Sequence, residues 1–276
     1  MQGVERLVTL TTDFGEGSPY VAAMKGVILS ANPSARLVDL GHTIPPQNVR
    51  HAAFFLATCL PYFPARTIHV IVIDPGVGTD RALLHIEAAG HHLLVPDNGC
   101  WTLAAAKLTD TPTVRRLSEP RFWRHPVSAT FHGRDILAPV AAYLSLGGDP
   151  NELGNPVTEW VRHPLPPATL EPRRLAGEVV FVDPFGNLLT NIPGDAFLAL
   201  ASGPVRVVVG AREVTRVVRT YGEADRGTLV ALVSSSGLLE VAVAEGNAAR
   251  ELGVATGTPV VVSALHNERP DASLAN

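Results

Sequence analysis

The sequence is poor in cysteine, in charge and in long apolar segments, and each shortage excludes a class of protein. Its two cysteines, Cys59 and Cys100, lack the CxxC spacing of a zinc site and are too few for a disulfide framework. We therefore expect free, buried thiols in a reducing compartment and no metal site.

Charged residues make up 17% of the chain and the formal net charge is −4, which leaves no basic surface for nucleic acid. No uncharged apolar run approaches the roughly 20 residues that a membrane-spanning helix needs. The N-terminus has no apolar core of the signal-peptide type. These shortages predict a soluble, cytoplasmic protein whose partner is a small molecule and neither nucleic acid nor membrane.

The 276 residues, 46% of them hydrophobic, exceed the usual size of one domain. β-type segments alternate with apolar helical ones over residues 1–154, which predicts an N-terminal α/β domain with a central, mostly parallel sheet. The proline-rich residues 155–174 predict a linker. Short β segments over residues 175–266 predict an all-β, barrel-like C-terminal domain. Residues 267–276 are expected to form a disordered tail.

The stretch Ile68–Arg81 joins a buried strand to a polar loop. Its continuous Ile/Val run predicts a strand that is covered on both faces. Asp74 follows at the carboxyl end, where open α/β sheets bind ligands. Gly76 and Gly78 permit a tight loop, and a loop that folds back would bring Arg81 to Asp74 as an ion pair.

Further polar residues lie in or next to the apolar segments of the N-terminal part. Asp13 ends the first predicted strand and is either a ribose-binding carboxylate or a helix-capping or turn aspartate. His132 precedes an apolar helix over residues 136–146 and is either a functional residue or a core or capping histidine. His91 and His92 are adjacent in a β-type segment, so their side chains point to opposite faces, which argues against a metal site.

Two loops of the C-terminal part carry candidate ligand groups. Asp183 and Asn187 lie between two adjacent predicted strands, and Ser235 lies in a Ser/Gly-rich segment before another. Serine and exposed amides can bind a carboxylate, and Asp183 could bind an ammonium group. Ordinary turn chemistry explains both loops almost as well, so both interpretations stay open.

Six motifs resemble one family in their order and spacing: Thr12–Gly15, Asp74–Arg81, Pro96–Gly99, Phe131–Asp135, Asp183–Ile192 and Ser235–Glu240. That family is the S-adenosyl-L-methionine (SAM) hydroxide adenosyltransferases, which are adenosine-forming SAM hydrolases related to the fluorinase and chlorinase. The resemblance covers nearly the whole chain except the tail. It implies a homotrimer with SAM held between the N-terminal domain of one subunit and the C-terminal domain of its neighbour.

The resemblance also implies site residues. Asp74, Arg81 and His132 would be the catalytic set that organises water or hydroxide near ribose C5′. The implied substrate-binding positions are Asp13 for the ribose hydroxyls, Asn187 for the ribose and methionine region, Asp183 for the ammonium group, Ser235 for the carboxylate, the backbone around Val243 for adenine, and Glu240 without an assigned role. SAM is the substrate, and no cofactor is implied. Asp97 and Asn98 also match the family, and Ser236 stands where the fluorinase carries arginine.

The implied reaction is in-line attack of water or hydroxide on C5′ of SAM, which gives adenosine and L-methionine. The sulfonium leaving group is already cationic and needs no acid, so the site must desolvate and position the nucleophile. A SAM-dependent halogenase and a non-catalytic SAM or adenosine sensor are the alternatives. The halogenases resemble this chain less at Asp74 and His132, where they carry tyrosines, and at Gly133, where they carry a serine.

Overall fold

The computed structural model describes residues 6–107, 111–214 and 216–265. The chain divides into two compact units, an N-terminal unit that ends at Pro164 and a C-terminal unit that begins at Leu165. This division falls inside the stretch interpreted as a linker. The predicted tail, residues 267–276, lies outside the described residues.

The N-terminal unit is a six-stranded mixed sheet with helices on its faces. Its elements are β1 (Leu7–Thr12), α1 (Pro19–Ala31), β2 (Arg36–Gly41), α2 (Val49–Cys59), β3 (Ile68–Val72), β4 (Leu83–Ala88), β5 (His91–Pro96), α3 (Thr102–Lys107), β6 (Thr113–Arg116) and α4 (Ala138–Ser145). The strand order is β2-β1-β3-β5-β4-β6. The contacts β1–β2, β1–β3 and β3–β5 are parallel, and β4 pairs antiparallel with β5 and β6. The predicted α/β class is confirmed.

Strand β3 lies in the middle of this sheet, and its five residues are all buried. Val70 and Val72 belong to one apolar cluster, which includes residues of α1 and α4, whereas Ile71 and Ile73 belong to a second cluster with residues of α2 and α3. Successive side chains of a strand point to opposite faces. The continuous apolar run therefore forms a strand that packs against a hydrophobic core on each face, as predicted.

Strands β4 and β5 form a hairpin, closed by a two-residue turn in which Ala89 and Gly90 have φ of 48° and 76°. Positive φ at both turn positions matches the twist of a tight hairpin. His91 and His92 contact different histidines, at 3.2 Å to His69 and 3.0 Å to His85. Their side chains thus lie on opposite faces, and among the described residues no group of three metal-binding side chains occurs.

The C-terminal unit is built on a nine-stranded, barrel-like sheet. Its elements are β7 (Thr169–Glu171), β8 (Arg174–Val182), β9 (Leu188–Pro193), α5 (Gly194–Leu200), β10 (Val205–Val209), β11 (Arg212–Val214), β12 (Arg216–Val217), β13 (Leu229–Val233), β14 (Leu238–Val243), α6 (Ala248–Leu252) and β15 (Pro259–Ala264). The strand order is β11-β10-β15-β8-β9-β14-β13-β12, with β7 paired to β8.

Three details of this unit differ from the sequence expectations. The predicted linker contains strand β7, whose residues pair antiparallel with β8. Val214 is the last residue of β11, which pairs with β10, whereas Arg216–Val217 form β12 beside β13. Two short helices, α5 and α6, interrupt the all-β pattern, and Asn247 caps α6 by accepting a hydrogen bond from the Arg250 amide.

Both cysteines are free thiols. Cys100 is fully buried, and burial raises the pKa of its thiol to about 12. Cys59 is half-buried, and burial likewise raises the pKa of its thiol to about 11. None of the helices within the described ranges has the length and apolar character to cross a membrane.

We expect acid to destabilise the N-terminal unit through its buried histidines. Burial first, and neighbouring histidines second, lower the pKa of His69 and of His85 to about 3. The ordinary value is near 6.5, so the unfolded chain binds more protons between these limits. The contribution of each residue to stability is therefore complete above about pH 6.5 and falls by up to about 1.4 kcal/mol per pH unit toward pH 3.

Urea unfolding at pH 7 and pH 5 checks this expectation. His85→Leu removes one titrating group and should reduce the loss of stability between the two pH values by about 2 kcal/mol. His125→Leu is the control, because His125 is exposed. Equal pH dependence in His85→Leu and the unsubstituted protein would contradict the assignment.

Candidate active site

The loop after β3 folds back on itself and pairs its acid with its arginine. Arg81 Nε lies 2.9 and 3.0 Å from the two carboxylate oxygens of Asp74, and Arg81 Nη2 lies 2.5 Å from Oδ2. Their side chains are only 11% and 8% exposed. A charge-assisted, two-nitrogen contact of this kind fixes the orientation of both groups. The predicted ion pair is therefore present.

Glycines permit this loop conformation. A Cβ at Gly76 would lie 3.1 Å from Cγ of Arg81, so the absent side chain leaves room for the arginine stem. Gly78 has φ of 82°, and a Cβ there would lie 2.7 Å from the carbonyl oxygen of Ala129. Glycine at position 78 therefore lets the loop lie closer to the segment that carries His132 than a residue with a Cβ would allow.

His132 meets the same arginine from the other side. Its Nδ1 lies 2.8 Å from Arg81 Nη2. A guanidinium only donates hydrogen bonds, so Nδ1 must accept and a neutral ring must carry its proton on Nε2. Burial, and next the charge of Arg81, lower the pKa of His132. The site thus holds a neutral imidazole whose Nε2–H is a donor.

A buried carboxylate holds the segment around His132. Asp135 is 0% exposed and accepts from Arg134 Nε at 2.7 Å, Arg124 Nη1 at 3.1 Å and the Ser128 amide at 2.9 Å. Asp135 lies in a π-helical turn, Gly133–Leu137, that opens directly after His132. The His132 side chain forms no cap hydrogen bond to this turn. Its contact is with Arg81, so the capping interpretation is wrong.

Asp13, directly after β1, lines a cavity that Asp74 and His132 also line. Its Oδ2 accepts the backbone N–H of Gln47 at 2.7 Å. Helix α1 is capped by Ser18, whose Oγ accepts the Tyr20 amide, so the helix-cap interpretation of Asp13 is wrong. Sequence reasoning missed Gln47, which has an unusual φ of 63°, although the rigid proline pair before it was a signal.

The cavity measures about 210 Å³, and its lining includes Asp13, Gln47, Asp74 and His132. Arg81 is not among the described residues that line the cavity. The arginine therefore orients two cavity side chains without itself forming the wall. Pockets for drug-sized ligands commonly measure about 300–1,000 Å³, so this cavity is smaller than a typical one.

Asp97 and Asn98, whose roles the sequence left open, hold backbone groups of the N-terminal unit. Asn98 Nδ2 donates to the carbonyl of Ile73 at 2.8 Å and so holds the residue before Asp74. Asp97 Oδ1 accepts the Val161 amide at 2.8 Å. Both contacts are internal to the N-terminal unit.

The remaining candidates lie in the C-terminal unit. Asp183 accepts the amides of Phe185 and Asn187 at 2.9 and 2.8 Å and the Asn187 side-chain amide at 2.9 Å. The structure thus brings Asp183 and Asn187 together in one turn. Glu240 is 3% exposed and accepts from Tyr221 Oη at 2.6 Å. Burial, and secondarily the charge of Asp183, raise the pKa of Glu240.

Ser235 lies far from Asp183 in the C-terminal unit. The β14–β9 register pairs Leu238 with Pro193 and Val241 with Leu188. The Asp183 turn and the exposed Ser235 hairpin therefore lie at opposite ends of β14, a six-residue strand with a rise of about 3.3 Å per residue.

The structure does not bring Ser235 to Asp183. The Val243 side chain packs in the barrel core. Ser236, beside Ser235, contacts Ser234 at 2.8 Å.

Known proteins share this architecture. A hydrolase from Thermus thermophilus, named (R)-S-adenosyl-L-methionine hydrolase, is 42% identical, and the match covers 92% of this chain and 98% of that protein. A crystal structure of an uncharacterised conserved protein from Thermotoga maritima has a TM-score of 0.86 at 35% identity, with 93% of this chain and 99% of that chain covered. A fluorinase from an Actinoplanes species is 26% identical over 67% of this chain and 71% of its own.

Family comparison matches both units. Residues 8–154 match the SAM hydroxide adenosyltransferase N-terminal domain, and residues 177–261 match the C-terminal domain of the same family. The two matches together span most of the chain and contain every candidate site residue. This chain therefore belongs to the SAM hydroxide adenosyltransferase family.

Proposed function

We propose that this protein is an enzyme that hydrolyses SAM to adenosine and L-methionine. The observation that carries the proposal is the joining of Asp74 and His132 through Arg81 beside a cavity that Asp13 also lines. Water adds its oxygen to C5′, the C5′–S bond breaks, the electron pair returns to sulfur, and one proton is released. No cofactor is required, because the substrate carries its own activated leaving group.

The hydrogen-bond directions assign different tasks to the two cavity residues. Asp74 Oδ1 receives one N–H from Arg81, whereas Oδ2 receives two, so Oδ1 is the freer acceptor for a proton of water. His132 Nδ1 is occupied by Arg81, so its Nε2–H donates to the water oxygen. One lone pair of that oxygen remains for C5′. In this mechanism Asp74 receives the proton and His132 only orients.

Arg81 contributes through charge and geometry. Its guanidinium orients the Asp74 carboxylate and disfavours a proton on His132, so the imidazole stays in the neutral form that the mechanism requires. Its positive charge also favours hydroxide over water as the nucleophile develops negative charge. Lysine would not replace it, because one ammonium group cannot present the same planar set of donors.

The halogenase alternative fits the cavity less well. A Cβ at Gly133 would lie 3.1 Å from Val72 Cγ1 and 3.3 Å from Met24 Sδ, so a serine there would press on buried side chains. The fluorinase relative also matches a smaller part of the chain at lower identity than the hydrolase does. Water is therefore the proposed nucleophile, and the (R) sulfonium epimer in the name of the relative is the first substrate form to test.

The proposed assembly is a cytoplasmic homotrimer in which a neighbouring C-terminal unit completes each active site. The cavity of about 210 Å³ in the N-terminal unit supports this, because it is smaller than a typical pocket for a drug-sized ligand. Asp183 and Asn187 would bind the methionine and ribose region from the neighbour, with Glu240 and the backbone near Val243 beside them. The carboxylate role of Ser235 stays a prediction, at a distance from Asp183 along β14.

The direct test of the reaction is incubation with (R)- and (S)-SAM in H₂¹⁸O, with and without chloride. We expect ¹⁸O at C5′ of adenosine, one methionine per adenosine and no dependence on chloride. Chromatography with mass spectrometry measures all three. A 5′-halogenated product would support the halogenase, and intact SAM with calorimetric binding would support the sensor.

Replacing the proposed proton acceptor tests the mechanism. Asp74→Asn keeps the shape but removes the charge, and we expect kcat to fall by about 10²–10³-fold with SAM affinity nearly unchanged. The matched control is Asp80→Asn, an exposed carboxylate in the same loop. Full turnover in Asp74→Asn, measured by stopped assays of adenosine, would exclude Asp74 as the acceptor.

Complementation tests the shared site. Asp74→Asn and Asp183→Ala subunits should each be weakly active, whereas mixed trimers contain some sites with both residues intact. Random mixing predicts about one quarter of the wild-type activity when the site is shared around a closed ring. Sedimentation of the mixture gives the assembly state. No recovery in verified mixed trimers would place both residues in separate sites or within one subunit.

A further inference from the structure

Four polar side chains extend from Asp13 away from the cavity, and the proposed reaction uses none of them. They are Thr12 at the end of β1, His42 after β2, Asp39 in β2 and Lys25 in α1. Thr12 is 0% exposed and His42 is 4% exposed. Burying such groups is costly unless they are hydrogen-bonded, so their arrangement calls for a physical reason.

Thr12 joins the backbone next to Asp13 to the imidazole of His42. The Phe14 amide donates to Thr12 Oγ1 at 3.2 Å, and Thr12 Oγ1 lies 2.9 Å from His42 Nδ1. An N–H only donates, so Thr12 accepts from Phe14 and still has its own hydrogen to donate. In the tautomer with the ring proton on Nε2, His42 Nδ1 accepts that hydrogen.

The far side of His42 is also held. Its Nε2 lies 3.0 Å from Asp39 Oδ1, close but poorly aligned for a hydrogen bond. Asp39 Oδ2 accepts from Lys25 Nζ at 2.6 Å. A carboxylate beside the ring keeps the Nε2–H tautomer favourable, which preserves Nδ1 as the acceptor for Thr12.

His42 contacts the chain on both sides of Asp13. Its side chain holds Thr12, the preceding residue, and its backbone carbonyl accepts the Gly15 amide at 2.8 Å. Thr12 in turn holds the Phe14 amide. The backbone on both sides of Asp13 is therefore fixed through one buried imidazole residue.

We propose that His42 is a positioning residue that fixes the Asp13 carboxylate for the ribose of the substrate. This rests on the proposed function, because Asp13 binds ribose only if a nucleoside occupies the cavity. His42 acts through Thr12 and does not touch the substrate. A purely structural histidine would affect stability without changing affinity for a ribose.

The test separates these roles with variants of one residue. His42→Leu removes both ring nitrogens, whereas His42→Asn retains an acceptor near the Nδ1 position. We expect His42→Leu to raise KM for SAM and Kd for adenosine about fivefold to tenfold, the effect of one lost hydrogen bond, with kcat changed less than twofold. His42→Asn should recover most of that loss.

A double-mutant cycle identifies Asp13 as the intermediary. In an Asp13→Asn background, His42→Leu should change Kd for adenosine less than about twofold, because the group that it positions is already altered. The control is His91→Gln, another buried histidine with an imidazole partner, His69. It should lower Tm without changing KM.

Equal effects of His42→Leu with and without Asp13→Asn, or no recovery in His42→Asn, would overturn the proposal. If His42→Leu does not fold, Thr12→Val breaks the same contact from the other end and must raise Kd equally. Should the unsubstituted protein bind adenosine but leave SAM intact, the hydrolase proposal fails while Kd still decides the role of His42. Absence of adenosine binding would overturn the positioning role itself.

Discussion

The guanidinium of Arg81 is the contact on which the candidate site depends. It donates to Asp74 within its own loop and to His132, which is 51 positions away in the sequence. Because a guanidinium can only donate, one group orients the Asp74 carboxylate and fixes the tautomer of His132 together. The chain must bring two backbones very close for this, which is why Gly78 faces the Ala129 carbonyl with no room for a Cβ.

The sheet delivers the other cavity groups to the same edge. Strands β1 and β3 are parallel neighbours with Thr12 opposite Val72, so Asp13 and Asp74 leave the sheet at the same end. Strand β5 is parallel to β3 and brings Asn98 there as well, where it holds Ile73. The crevice beyond the carboxyl ends of parallel strands is a general ligand position. Here the chain fills it with carboxylates, each fixed by a different partner.

Several buried polar groups in the N-terminal unit are held by polar partners. Asp135 is surrounded by donors, His69 and His91 contact each other, and His42 is held between Thr12 and Asp39. Such groups cost stability unless they are partnered, and partnered groups rigidify their surroundings. We expect the imidazoles far from the cavity to make the fold sensitive to acid, whereas the imidazole of His42 holds the backbone next to Asp13. The same chemistry therefore has different consequences at the two ends of the sheet.

The sequence by itself determined the α/β class of the N-terminal domain, the two-sided burial of β3 and the clusters that carry the family resemblance, because these depend on local periodicity and on residue type. It also predicted the contact between Asp74 and Arg81, seven positions apart in one loop. Tertiary structure decided the rest. The proton position on His132, the contacts of Thr12 and Asp39 with His42 behind Asp13, and the separation of Ser235 from Asp183 all depend on which strands pair and in what register. Those pairings join residues far apart in the chain, and no local pattern encodes their distances.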